Sequence, residues 1–169
     1  PPGTGAEGAA GDNATYGYLN SFDANGFSYT KGSAGTTFFN QSGINYVAWC
    51  WKAGGAAVSN SDGTITSSVS ANTEAGFSIV SYTGNNATGA TVGHGLGKVP
   101  KWIIVKDRDT AGYNWHVYHD SIGATKELKL NTMAAESTQA FWNNTAPTSS
   151  VFTVNGGGWE VNTDTKKHI

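Results

Sequence analysis

Cysteine and methionine each occur once, proline four times, and only 13% of the 169 residues are charged. Each scarcity removes a class of explanation. A lone Cys50 rules out an intrachain disulfide framework and a multi-thiolate zinc site, and it reads as a small core hydrophobe. Ten Lys and Arg against twelve Asp and Glu give a net charge of -2, so no cationic field exists to hold a phosphate backbone, and nucleic acid is not expected as a partner. No apolar run approaches the roughly 18 residues of a membrane-spanning helix, so membrane insertion is not expected. The start Pro1-Pro2-Gly3-Thr4-Gly5 lacks the cationic and apolar regions of a signal peptide and an initiator Met, and reads as a processed product or a segment of a longer chain.

What is abundant is the diet of short strands. Six Trp, seven Tyr and seven Phe stand among 23 Gly and many Ser, Thr and Asn. Aromatic and β-branched residues favour the pleated sheet, and the small polar residues favour the turns between strands. The length suits about one domain. Residues 1–13 read as a Gly/Ala-rich linker or arm and residues 14–169 as one module.

Along the chain, Gly76-Phe77-Ser78-Ile79-Val80-Ser81-Tyr82 alternates with period two and predicts a strand. The turn-rich Thr83–Gly89 and the extended Ala90-Thr91-Val92 suggest that this strand closes a hairpin. Trp102-Ile103-Ile104-Val105 is apolar on both faces, as a central strand is, and pairs across the charged turn Lys106–Asp109 with Trp115–His119. On that placement Trp102→Ala should cost about 3–5 kcal/mol. Further strands are expected over 127–130, 150–154 and 158–161, with one short helix at most near 133–142. Turns about every ten residues predict an antiparallel β-sandwich of jelly-roll or concanavalin-like type, with a β-barrel as the alternative.

The ends of the module echo each other. Asn25–Thr30 followed by Gly43-Ile44-Asn45-Tyr46-Val47 parallels Val151–Asn155 followed by Asp164 to Ile169, so 22–49 resembles 147–169. Ile169 then occupies the place of Val47, and residues like Ala48-Trp49-Cys50-Trp51 would come next. This is the pattern of one period of a tandem repeat with overlapping ends.

The blocks Tyr46–Gly55, Gly76–Asn85, Gly93-His94-Gly95-Leu96-Gly97 and Pro100–Lys106 occur in this order, followed by Trp115-His116-Val117-Tyr118-His119 and Asn131–Glu136. They resemble a family of tailed-bacteriophage structural proteins of marine and cyanobacterial phages, often described as tail-fibre or concanavalin-like. The resemblance covers roughly residues 22–169. It implies a virion protein on the particle exterior, on tail or capsid, whose motifs are structural and which packs with itself, commonly as a trimer, and with other virion proteins.

The residues themselves offer little catalytic chemistry. Gly93–Gly97 is a turn; it has no helix behind it and no Gly-Lys-Ser/Thr ending, so it is not a phosphate loop. His94 suits a backbone-bonded turn histidine better than a base. His116 and His119, three apart on a strand, point to opposite faces and cannot share one ion. Asp107, Asp109 and Asp120 could offer oxygens to calcium but lack the EF-hand pattern, so no metal and no cofactor are expected. No Gly-x-Ser-x-Gly elbow or alternating acid run occurs, which argues against an enzyme. Tyr113, Trp115, Trp142, Asn143 and Trp159, flanked by polar turn residues, are the candidates for stacking on a host-surface glycan. Three functions follow in order: a virion structural or appendage module (capsid decoration included), a lectin-like receptor binder, and a glycan-degrading enzyme.

Overall fold

The computed structural model describes residue 15 and residues 17–33 and 42–169, so the arm expected over 1–13 lies outside the described residues. Contacts divide the described residues into two compact units that meet in sequence at Cys50 and Trp51, within the stretch 14–169 read above as one module.

In the smaller unit, β1 (Gly17–Asp23) and β2 (Gly26–Lys31) form an antiparallel hairpin with a register shift between Leu19 and Ser21. Ser28 and Ser21 donate hydroxyl hydrogen bonds of 2.6 and 2.8 Å to the Asp23 carboxylate, and these hold its pKa below the ordinary carboxylate range. Beyond the Ser42–Gly43 turn, residues 44–50 form no strand and are exposed. Cys50, expected in a core, is exposed with them.

The larger unit is all-β and antiparallel, a sandwich with no sheet closed into a barrel among the described residues. One sheet has the order β12-β5-β4-β3, from β3 (Val58–Asn60), β4 (Ser67–Asn72), β5 (Phe77–Thr83) and β12 (Lys167–His168). A second has the order β10-β9-β8-β7, from β7 (Trp102–Lys106), β8 (Trp115–His119), β9 (Lys126–Lys129) and β10 (Ser137–Thr138). A third pairs β6 (Ala90–Gly93) with β11 (Val151–Val154). The end of the chain ties the two larger sheets together. His168 bridges Asp107, and the backbones of Lys106 and Ile169 exchange hydrogen bonds of 2.8 and 3.0 Å. Val92, Phe152, Val154, Tyr82, Val105, Tyr118, Trp142 and Val161 fill one continuous core.

The β7–β8 pairing is as expected, with Ile104 opposite Val117. Three local expectations fail for identifiable reasons. β5 does not form a hairpin with β6, because the connection between them is pinned elsewhere: Gly84 N–H donates to Lys166 O, Asn86 N–H to Asn162 O and Asn85 N–H to the Asn162 side chain. Residues 158–161 are a turn, since Gly157 and Gly158 adopt positive φ of 76° and 97° and present their N–H groups to the Asn86 side-chain oxygen. No helix forms over 133–142: Ser137 and Thr138 pair with Glu127 and Lys126 instead, a tertiary pairing that overrides weak local preference.

Trp102 is also displaced from its expected role. At the start of β7 it stays 49% exposed, while Val105 at the other end is buried. Trp102→Ala is therefore expected to cost about 1–2 kcal/mol in urea unfolding, well short of a core tryptophan. A loss above about 3 kcal/mol would place the ring in a core after all.

Candidate functional site

The strongest concentration of chemistry is buried under β8. His116 points inward from β8 opposite Lys129 of β9, and Glu127 lies two residues along β9 on the same face. That diagonal brings Glu127 Oε2 within 2.5 Å of His116 Nδ1. From the 155–161 turn, Glu160 brings Oε2 within 2.8 Å of His116 Nε2 and also accepts the Asn114 N–H at 2.8 Å. Ser137 Oγ donates to Glu127 Oε1 at 3.2 Å, and Lys129 Nζ lies 3.5 Å from the same oxygen. The Phe141 ring stacks on the imidazole at 3.9 Å, and Trp159 meets Phe141 edge-on.

This arrangement fixes its own chemistry. Each imidazole nitrogen faces a carboxylate oxygen, so each contact needs a proton between its two atoms. A general base needs one nitrogen directed at a substrate, and a metal ligand needs a lone pair free of hydrogen. Here both nitrogens are committed, and His116 and Glu127 are each 1% exposed. The cluster is a satisfied polar staple joining β8, β9 and the 155–161 turn.

A second buried group closes the junction of the sheets. His168 stacks on Tyr82 at 4.9 Å; Nδ1 lies 3.0 Å from Lys166 O and Nε2 3.2 Å from Glu160 O. Asp107, 1% exposed, accepts the N–H groups of Asp109 and Thr110 through Oδ1, while its Oδ2 sits 3.8 Å from His168. Burial pushes the His168 imidazole below its ordinary range, against the smaller upward pull of Asp107 and the two carbonyls. Burial likewise pushes the Tyr82 hydroxyl far up; it donates to Val161 O at 2.6 Å. His94 is held by backbone, as expected of it: Nδ1 accepts the Leu96 N–H and Nε2 faces Thr148 O, each at 3.2 Å.

The glycan candidates do not assemble into a platform. Trp142 is 2% exposed and packs edge-on to Tyr118, so it is a core residue and cannot stack on a sugar; Asn143 and Asn144 turn the chain at positive φ and send the ring inward. Trp159 is half-buried against Phe141. Tyr113, Trp115 and Asn143 are half-buried; the Tyr113 carbonyl accepts Lys106 Nζ at 3.1 Å and the Trp115 N–H donates to Asn131 at 3.0 Å. The acids considered for calcium are likewise spread apart in use, with Asp120 paired to Lys101 at 2.8 Å and Asp109 accepting the Lys167 N–H. Among the described residues, no three His, Cys, Asp or Glu side chains form a group that could hold a metal ion. A shallow depression of about 410 Å³ beside β3, β4 and β5 is lined by residues that include Ser59, Ser68, Ser81, Thr83, Arg108 and Lys167.

Residues 5–169 match the model of a protein family described as a domain of unknown function, DUF7483. The chain belongs to that family. No curated protein and no solved structure matches it. For this DUF7483 chain, the functional reading therefore rests on its own residues.

Proposed function

We propose that this chain is a non-enzymatic structural module on the exterior of a bacteriophage particle, in a tail fibre or similar appendage, that packs against copies of itself and neighbouring particle proteins. The observation that carries the reading is where polar and apolar groups lie. The chemistry-bearing cluster of His116, Glu127 and Glu160 is consumed in holding strands together. Meanwhile β5 and β7 leave Ile79 (40% exposed) and Trp102 (49% exposed) on their outer faces, and Val99, ahead of β7, is 45% exposed. Large apolar side chains left exposed on these strands are what a covering protein surface would bury. The resemblance of the ordered blocks Tyr46–Gly55, Gly76–Asn85 and Pro100–Lys106 to those of tailed-phage structural proteins is what suggests the particle setting.

The test is sedimentation velocity of the purified chain over a wide concentration range. Reversible assembly that grows with concentration is expected. A monomer at every concentration would overturn the self-packing reading.

A further inference from the structure

From the geometry we infer that the outer face of β3, β4, β5 and β12 is a binding site for an acidic saccharide, a short sugar chain carrying carboxylate or sulfate groups. Binding there needs only one copy of the chain and goes beyond the self-packing reading.

The face is set by alternation. Ser67 and Val69 of β4 and Tyr82 of β5 are buried, so the residues on either side of them, Thr66, Ser68, Ser81 and Thr83, stand on the opposite side of the sheet. Thr66, Ser68 and Thr83 are exposed there, and Ser81 is half-buried. Register then gathers them in rows. Ser59 pairs with Ser68 and Ser68 with Ser81, so three serine side chains line up across β3, β4 and β5. Ser67 pairs with Tyr82 and Thr83 with Lys167, so the next row holds Thr66, one residue ahead of β4, then Thr83 and Lys167. Arg108 extends that row: Asp107 bridges His168, and the Arg108 N–H donates to Lys167 O at 2.8 Å. Both rows border the same depression of about 410 Å³.

The two faces use their hydroxyls differently. On the inner face Ser67, Ser78 and Tyr82 each donate to a backbone carbonyl, of Gly93, His94 and Val161, at 2.9, 2.7 and 2.6 Å. On the outer face, among the described residues, the five hydroxyls of the two rows and the Lys167 ammonium take no protein partner. Strand geometry spaces these groups about 4.8 Å apart across the sheet and about 7 Å apart along it.

The array states what it would bind. A hydroxyl both donates and accepts, so a field of hydroxyls matches a ligand that does both, as a sugar does. Lys167 and the half-buried Arg108 add positive charge at one end of the field, which selects an anionic substituent on that sugar. The Asp109 carboxylate beside them accepts the Lys167 N–H at 2.8 Å. Tyr82, the aromatic residue of the lining, is turned inward and stacked on His168, so ring stacking of the kind that holds neutral sugars has no part here. Two cations on a chain of net charge -2 are too few for a nucleic-acid backbone. Recognition therefore combines hydroxyl pairing over the serine row with a charged contact at Lys167. Each such contact is weak in water, and the affinity expected is on the order of 0.1–1 mM.

The test is titration of the intact, isotopically labelled chain with trigalacturonate, sulfated maltotriose and plain maltotriose, read from its backbone amide resonances. The first two probes separate a carboxylate ligand from a sulfate ligand. One or both should bind, with shifts concentrated at Ser59, Ser68, Ser81, Thr83 and Lys167, while maltotriose binds at least about 10-fold more weakly. Lys167→Gln should weaken binding about five-fold, and the double replacement Ser68→Ala with Ser81→Ala by a similar factor. The same spectra show that these variants keep the fold. Lys98→Gln, at an exposed lysine outside the depression, should leave binding unchanged. Absence of binding by both acidic probes at about 10 mM would overturn the site. So would shifts located elsewhere, equal binding of maltotriose, or an equal loss with Lys98→Gln, which would reduce the effect to general charge attraction.

Discussion

His116→Ala is expected to lower the unfolding free energy by about 3–5 kcal/mol, the range for breaking a buried ion pair by removing one partner. The reason lies less in the lost contacts than in what remains. With the ring gone, Glu127 at 1% exposure keeps only Ser137 and Lys129, and it faces Glu160 across the space the imidazole held. Phe141 also loses the ring on which it stacks at 3.9 Å. The double replacement His116→Leu with Glu127→Leu removes the stranded charge along with its partner and should be less destabilised than the single variant. Urea unfolding of both chains measures this coupling. A single-variant loss below about 1 kcal/mol would show that Glu127 reaches water without help and that the cluster is no staple.

This cluster also marks the limit of what the sequence could reveal. Alternation made β5 legible, and a run apolar on both faces made β7 legible. The same logic misreads β9. In Glu127-Leu128-Lys129-Leu130 the leucines suggest the buried face, yet Glu127 is buried and Leu130 is 36% exposed. Only the register with β8, which sets Glu127 diagonal to His116, reverses the face, and register is a property of two strands rather than one. Glu160 was hidden for a related reason: a turn that glycines 156–158 make possible was read as a strand. Trp142 was misplaced because polar neighbours were taken to mean exposure, whereas Asn143 and Asn144 are polar in order to turn the chain at positive φ. The hairpin between β5 and β6 failed because nearest-in-sequence pairing was assumed, while asparagine side chains pin that connection to the far end of the chain.

Acid should loosen this fold before it neutralises most carboxylates. His94 and His168 are 3% and 0% exposed, and burial depresses both imidazoles below the ordinary value near 6.5. For His94 the Leu96 N–H donated to Nδ1 points the same way, and burial outweighs the upward pull of the Thr148 carbonyl and Asp62. For His168 the upward pull of Asp107 and the carbonyls of Glu160 and Lys166 is outweighed by loss of water at the junction of the sheets. The sign follows from linkage: the unfolded chain takes up protons near pH 6.5 that the folded chain refuses until lower pH. Stability contributed by the neutral rings is thus complete above about pH 7 and declines as pH falls through 6.5, by at most about 1.4 kcal/mol per pH unit for each ring. The decline levels off once pH drops below the folded values. Asp23 acts in the same direction but only in the carboxylate range near pH 4, so the window between 7 and 5 isolates the imidazoles. Urea unfolding at several pH values across that window should show the fall, and His168→Gln should flatten part of it. Stability that holds steady or rises on acidification would mean that the rings are charged in the folded state. The Asp107–His168 contact would then be an ion pair clamping β7 to β12, rather than a neutral joint between the two sheets.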